Sequence, residues 1–160
     1  MGIVQQILLM LLLVGISAFF SLSEISIAAS RKARLSVLAD EGHAAAARVL
    51  ALQAQPGPFF TLVQIGLNAV AIMGGIVGDQ AFSPWLARLL RPLVPAEQLD
   101  TLAFALSFTL VTSLFILFAD LMPKRLGMAA PEKLAMAVAA PMGFLIRWLR
   151  PILWIYNEAA

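Results

Sequence analysis

The stretch Phe115-Ile-Leu-Phe-Ala-Asp-Leu-Met-Pro-Lys-Arg125 closes an apolar run that begins near Leu99. About 20 apolar residues suffice to cross a hydrocarbon core as a helix, and this run is long enough. It ends in a lone carboxylate, Asp120, followed by Pro123 and the cations Lys124 and Arg125. An acid at membrane depth is costly unless it is paired or used, which makes Asp120 a site candidate. A helical proline frees the carbonyl four residues back, here that of Ala119. A carboxylate beside a freed carbonyl suits a cation. The alternative is a plain ion pair between Asp120 and Lys124 or Arg125. Thr109 and Ser113 share the Asp120 stripe, within roughly 60° on a helical wheel, or else they bond back to their own helix.

The rest of the chain has the same character. Of 160 residues, 61% are hydrophobic and 12% charged, with a mean hydropathy of +0.91. Soluble domains carry roughly a quarter charged residues, so the expected class is an all-α membrane protein. Apolar runs at about residues 3–29, 58–78 and 99–122 predict three spans. With no cysteine, thiol catalysis, thiolate metal sites and disulfides are excluded. The one histidine, His43, lies in a charged connecting segment, and no nucleophile–base pattern occurs, so an enzyme is not expected. The net charge of +2 is small. The basic residues sit at segment ends, as topology signals do, and not on one face as nucleic-acid binding requires. No cofactor is expected. The first run lacks a basic leader and a usual cleavage site, which argues against a signal peptide.

Arg31, Lys32 and Arg34 follow the first run and mark its cytoplasmic end. The N-terminus is therefore expected outside and the C-terminus in the cytoplasm. On the first helix Ser17, Ser21 and Glu24 line one face, and Ser23, Ser26 and Ser30 line nearly the opposite one. Small serines permit close helix packing, but packing does not account for Glu24. Residues 32–55 read as a cytoplasmic connecting helix or helix pair on the membrane surface. In the second run Thr61, Gln64, Asn68, Gly75 and Asp79 form a polar stripe, able to bind a cation or to hydrogen-bond a neighbouring helix. Asp79 reads as a helix-end or interfacial charge. Gly66, Gly74 and Gly75 allow close backbone approach. Residues 82–98 are expected to be an external loop punctuated by proline, with a short helix near 85–90. Residues 131–157 are apolar but hold Arg147 and Arg150, which favours a juxtamembrane belt helix over a fourth span.

The elements FFSLSEISIAASRKARL (19–35), TLVQIGLNAVAIMGGIVGD (61–79) and FADLMPKRLGMAAPEKLA (118–135) resemble the membrane domain of the CorC/CNNM family of cation exporters. More narrowly they are similar to its bacterial branch associated with export of the polyamines putrescine and cadaverine. The resemblance covers essentially the whole chain. It implies a homodimer in the bacterial inner membrane, three spans per subunit and a juxtamembrane helix. It also implies cytosolic CBS domains and a small terminal domain that this sequence does not contain, so the chain is read as a fragment of a longer protein.

In magnesium-transporting members the site takes serine from the first motif, asparagine from the second and glutamate before the Pro-Lys pair. Here the serines are Ser21 and Ser23. Leu67 stands where the asparagine is expected, with Asn68 beside it, and Asp120 replaces the glutamate. Mg²⁺ demands near-ideal octahedral oxygens, and a shorter acid with a missing amide spoils them. A primary ammonium accepts a looser set of a carboxylate and a few acceptors. The expected reading is export of small organic dications by alternating access. Asp120, Ser21, Ser23, Asn68, Gln64 and Glu24 would bind the cation, and Pro123, Gly66 and Ala119 would supply backbone or hinge. The rivals are a Mg²⁺ exporter using the same pocket and a non-transporting membrane anchor or sensor.

Overall fold

A computed structural model describes residues 2–160, and every regular element among them is helical. Three helices are long and apolar enough to cross a membrane. The first, α1 (Ile3–Ala29), has no charged residue before Glu24. Two short helices follow, α2 (Lys32–Asp40) and α3 (Ala44–Ala54). Between them Gly42 takes a φ of 96°, a left-handed conformation that glycine adopts without steric cost. The turn is a Schellman cap: the His43 amide donates to the Leu38 carbonyl and the Gly42 amide to Ala39, each at 3.0 Å. The connecting region is therefore a helix pair.

Helix α4 runs from Pro56 to Leu90. At 1.5 Å per residue its length is about 52 Å, well beyond a hydrocarbon core of about 30 Å. The helix runs well past the expected span of 58–78, and the expected external loop is mostly helix. Pro84 lies inside α4 without ending it. Burial of Ala81 and Leu86 on either side of Pro84 holds the last turns in place. The break falls only between Leu90 and the start of the next helix at Ala96.

The third span is continuous from Ala96 to Ala129. It comprises α5 (Ala96–Leu114), a π-helical segment (Phe115–Leu121) and α6 (Met122–Ala129). Pro123 lies inside it without ending it. The π segment lies immediately before the proline, and the wider i→i+5 turn has room for a residue that lacks an N–H and crowds the preceding turn. Pro123 and Ala119 are both buried at this widened turn.

The region 131–157 is also not one helix. Helices α7 (Pro131–Trp148) and α8 (Arg150–Ala159) meet at Leu149 with a bend of 76°. Arg147, Trp148, Arg150, Trp154 and Tyr156 are exposed there, the composition that suits an interfacial belt. Helix α7 packs across α1 and α3, and α8 packs on α4. The Thr61 and Asn157 side chains approach to 2.6 Å and tie α8 to the start of α4.

Two apolar clusters organise the bundle. The larger joins Phe20, Ile27, Leu35, Val49, Phe59, Val63, Val138 and Met142, so α2, α3, α7 and α8 clasp the ends of α1 and α4. The smaller joins Met10, Leu13, Val70, Val77, Ala81 and Val111 at the other end of the spans. At the α1 exit the Gln53 amide donates to the carbonyls of Ile27 (2.9 Å) and Ser30 (3.1 Å), satisfying helix-end acceptors that have no intrahelical partner. The Arg31 amide lies 3.4 Å from the buried Glu132 carboxylate.

Close approach is set by glycine. A Cβ at Gly66 would lie 2.6 Å from the Phe20 ring, and one at Gly78 would lie 2.6 Å from Val111. Gly74 faces Phe115, and Gly127 faces Ile25 and the Leu22 carbonyl, as closely. These contacts fix the register: α4 lies against α1 through Gly66, and against the third span through Gly74 and Gly78. Gly127 closes α6 onto α1.

Candidate functional site

Gly127 brings the end of the third span against the last turns of α1, and there the polar groups meet. The Ser21 hydroxyl donates to Asp120 Oδ1 at 3.0 Å. The Lys124 ammonium lies 3.1 Å from the same oxygen and 3.6 Å from Glu24 Oε2. Asp120 and Lys124 are one helical step apart (i, i+4), while Ser21 and Glu24 come from three-residue spacing on α1. Asp120 sits within the π segment, and such widenings recur at functional sites. Two carboxylates and one ammonium leave the cluster with a net formal charge of −1. The Asp120 and Lys124 side chains are 42% and 35% exposed and Glu24 is 21% exposed, so the cluster lies at the surface of the single chain.

The cluster lies toward one end of the bundle. Seven residues separate Glu24 from Arg31, about 10 Å along the axis. The site is thus one or two turns above the basic end of α1.

The remaining sequence-predicted residues fall elsewhere. Ser23 is fully buried and donates to the Phe19 carbonyl of its own helix at 2.6 Å. Ser30 does the same to Ser26 at 2.6 Å, while Ser26 reaches the Ser23 carbonyl only at 3.4 Å. This serine face packs helices, the role small residues fill in membranes. Thr109 and Ser113 likewise bond back to Ala105 (2.8 Å) and Thr109 (2.7 Å). Gln64 and Asn68 are exposed, and among the described residues neither hydrogen-bonds to Asp120, Ser21 or Glu24. Gly66, midway between them, faces Phe20 of α1. Two residues on a helix are about 200° apart, so both amides point away from α1. Within one chain the structure brings together Asp120, Ser21 and Glu24, and leaves Ser23, Gln64 and Asn68 outside that contact set.

Lys124, expected only as a pairing partner of Asp120, is itself a member of the cluster. The i, i+4 spacing signalled that pairing. Its reach across to Glu24 is a tertiary fact.

A bundle with three helices long and apolar enough to span a membrane, carrying an acid–lysine–acid cluster toward one end, defines the class as a polytopic membrane protein. Residues 7–160 match the Cyclin M transmembrane N-terminal domain, and the chain belongs to that CNNM family. It is 56% identical over 156 residues to the polyamine export protein of Escherichia coli (strain K12), covering 98% of this chain and 35% of that protein. It is 55% identical over 156 residues to the polyamine export protein of Salmonella typhimurium (strain 14028s / SGSC 2262), with the same coverage. The polyamine export protein of Haemophilus influenzae (strain ATCC 51907 / DSM 11121 / KW20 / Rd) is 41% identical over 160 residues, covering 100% of this chain and 37% of that protein. The chain spans about a third of the length of these curated relatives.

Proposed function

We propose that this chain is the membrane-embedded part of an exporter of small organic dications, polyamines such as putrescine and cadaverine, and that it is not an enzyme. The observation that carries the reading is Lys124. Its side chain ends in a primary ammonium held between Asp120 at 3.1 Å and Glu24 at 3.6 Å. A polyamine terminus is the same chemical group, so the cluster is already shaped for it. Exchange of one ammonium for another keeps the charge of the site constant, and no bare carboxylate is left inside the membrane. The Ser21 hydroxyl holds Asp120 from one side, leaving Oδ2 for a ligand.

The names of the relatives support the same substrate class. Mg²⁺ fits less well: with Lys124 moved away, the cluster offers two carboxylates and a hydroxyl, short of the octahedral oxygen set that Mg²⁺ requires. In this reading the protein works as a homodimer in the bacterial inner membrane, with Asp120 near the cytoplasmic side because Arg31, Lys32 and Arg34 follow α1 there. Pro123, Ala119 and Gly66 sit where two helices must move past each other in alternating access.

A thermal-stability titration of the purified protein at fixed ionic strength tests the substrate class. A ligand at 100 times its Kd stabilises by about 2.7 kcal/mol, so putrescine and cadaverine should raise Tm by several degrees in a saturable manner, and Mg²⁺ should not. A saturable rise with Mg²⁺ and none with either diamine transfers the site to the metal. No rise with any cation favours the anchor reading.

A further inference from the structure

The opposite half of the bundle holds a second acid that the cluster around Asp120 does not use. Asp79 lies on α4, one residue beyond the Gly78–Val111 contact. It lines a groove of about 610 Å³ between α4 and α5, together with Gln80, Ile72, Ile76, Phe104 and Phe108. Its Oδ1 is buried and without a hydrogen-bond partner, and no Lys, Arg or His nitrogen among the described residues lies within 4.0 Å of the carboxylate. A buried acceptor left unpaired is unstable unless something completes it. The Phe104 and Phe108 rings stack at 6.2 Å on the other wall, and both residues line the groove and are exposed. A carboxylate facing aromatic rings is a recognition set for an organic ammonium ion. The floor is open as well: a Cβ at Gly75 would meet nothing within 4 Å, although Gly74 and Gly78 on either side are tightly packed.

Val111 and Asp120 are nine residues apart on the third span, so the two acids are separated by roughly 13 Å along the axis. A short diamine does not bridge that distance. We propose that the Asp79 groove is a second, separate ammonium-binding station, on the outer half of the bundle, where a diamine released from Asp120 is held before it leaves. This deepens the export reading and rests on it for direction of travel, though occupancy of the groove does not.

The test is equilibrium binding of radiolabelled putrescine to the full chain in nanodiscs, using the unsubstituted chain, Asp120→Asn, Asp79→Asn and the double variant. The station predicts saturable binding that survives Asp120→Asn and falls at least tenfold in affinity when Asp79→Asn is added. Gly75→Leu fills the groove while keeping the carboxylate. In the Asp120→Asn background it should cause the same loss, which a surface charge alone would not. Binding in the Asp120→Asn protein that ignores both Asp79→Asn and Gly75→Leu overturns the station and leaves the Asp120 site untouched. Binding whose stoichiometry is unchanged by Asp120→Asn and which is abolished by Asp79→Asn alone overturns the Asp120 assignment and keeps the station. If Asp79→Asn instead weakens self-association and leaves binding unchanged, the carboxylate serves a partner subunit and the station is wrong.

Discussion

Asp120→Asn is expected to reduce diamine export to the background of cells lacking the protein, with folding and oligomeric state unchanged. The substitution keeps the shape of the side chain and can still accept the Ser21 hydroxyl bond seen at 3.0 Å. What it removes is the charge that holds an ammonium. Hydrogen bonds to charged groups contribute about 1.5–3 kcal/mol, so diamine affinity at the Asp120 site should fall by roughly tenfold to a hundredfold. Lys124 keeps Glu24, at 3.6 Å, so the variant is not left with an orphan cation. Export assays on loaded vesicles, with size-exclusion profiles as the folding control, check the prediction. Unchanged export in Asp120→Asn would remove Asp120 from the site.

Lys124→Gln is expected to have the opposite effect on binding and a similar effect on transport. In the proposed exchange Lys124 fills the place of the substrate in the unoccupied protein, so a diamine must displace it. Without that tethered competitor, affinity should rise by on the order of tenfold, the release of one charged hydrogen bond's worth of competition. Export should slow, because nothing re-occupies Asp120 to expel the bound cation. The two carboxylates also lose their shared counter-ion, so the variant should bind monoamines and diamines alike more tightly. Binding isotherms and initial export rates measured side by side separate the two effects. Weaker binding in Lys124→Gln would mean that the lysine supports the pocket and does not compete for it.

Much of the architecture follows from local rules, and the departures are instructive. Hydropathy alone places the three spans, because 20-residue apolar runs have few other uses. Helix ends were harder to read. Pro84 and Pro123 carry the same local signal as Pro92 and Pro95, yet the first pair lies within helices. Buried Ala81 and Leu86 hold the chain helical around Pro84, and the π segment before Pro123 makes room for that ring. Neither a distant contact nor a change of helical register is written in the residues next to a proline.

The site divides in the same way. Asp120, Ser21 and Glu24 could be singled out because acids and hydroxyls are costly in an apolar helix. Helical spacing also told which residues share a face, but not which face meets which neighbour. For α4 that choice was made by Gly66 against Phe20, which turns Gln64 and Asn68 outward. The serine stripe of α1 is equally ambiguous by spacing, and in the fold Ser23 and Ser30 bond to their own helix. Lys124 is the reverse case: its pairing with Asp120 was legible from the i, i+4 spacing, while its contact with Glu24 depends on α6 closing onto α1 at Gly127.

In the proposed exchange a substrate ammonium takes the place of the Lys124 ammonium between Asp120 and Glu24. The chain has only three lysines, Lys32, Lys124 and Lys133, so the Nζ resonances of a ¹⁵N-lysine-labelled sample can be assigned with Lys124→Gln as reference. The most direct measurement is the Lys124 Nζ signal in bilayers before and after saturating putrescine. The account predicts that this signal moves from a carboxylate-paired to a free ammonium position, and that Mg²⁺ at equal ionic strength leaves it where it was. A Lys124 signal unmoved by putrescine, or moved only by Mg²⁺, would contradict it.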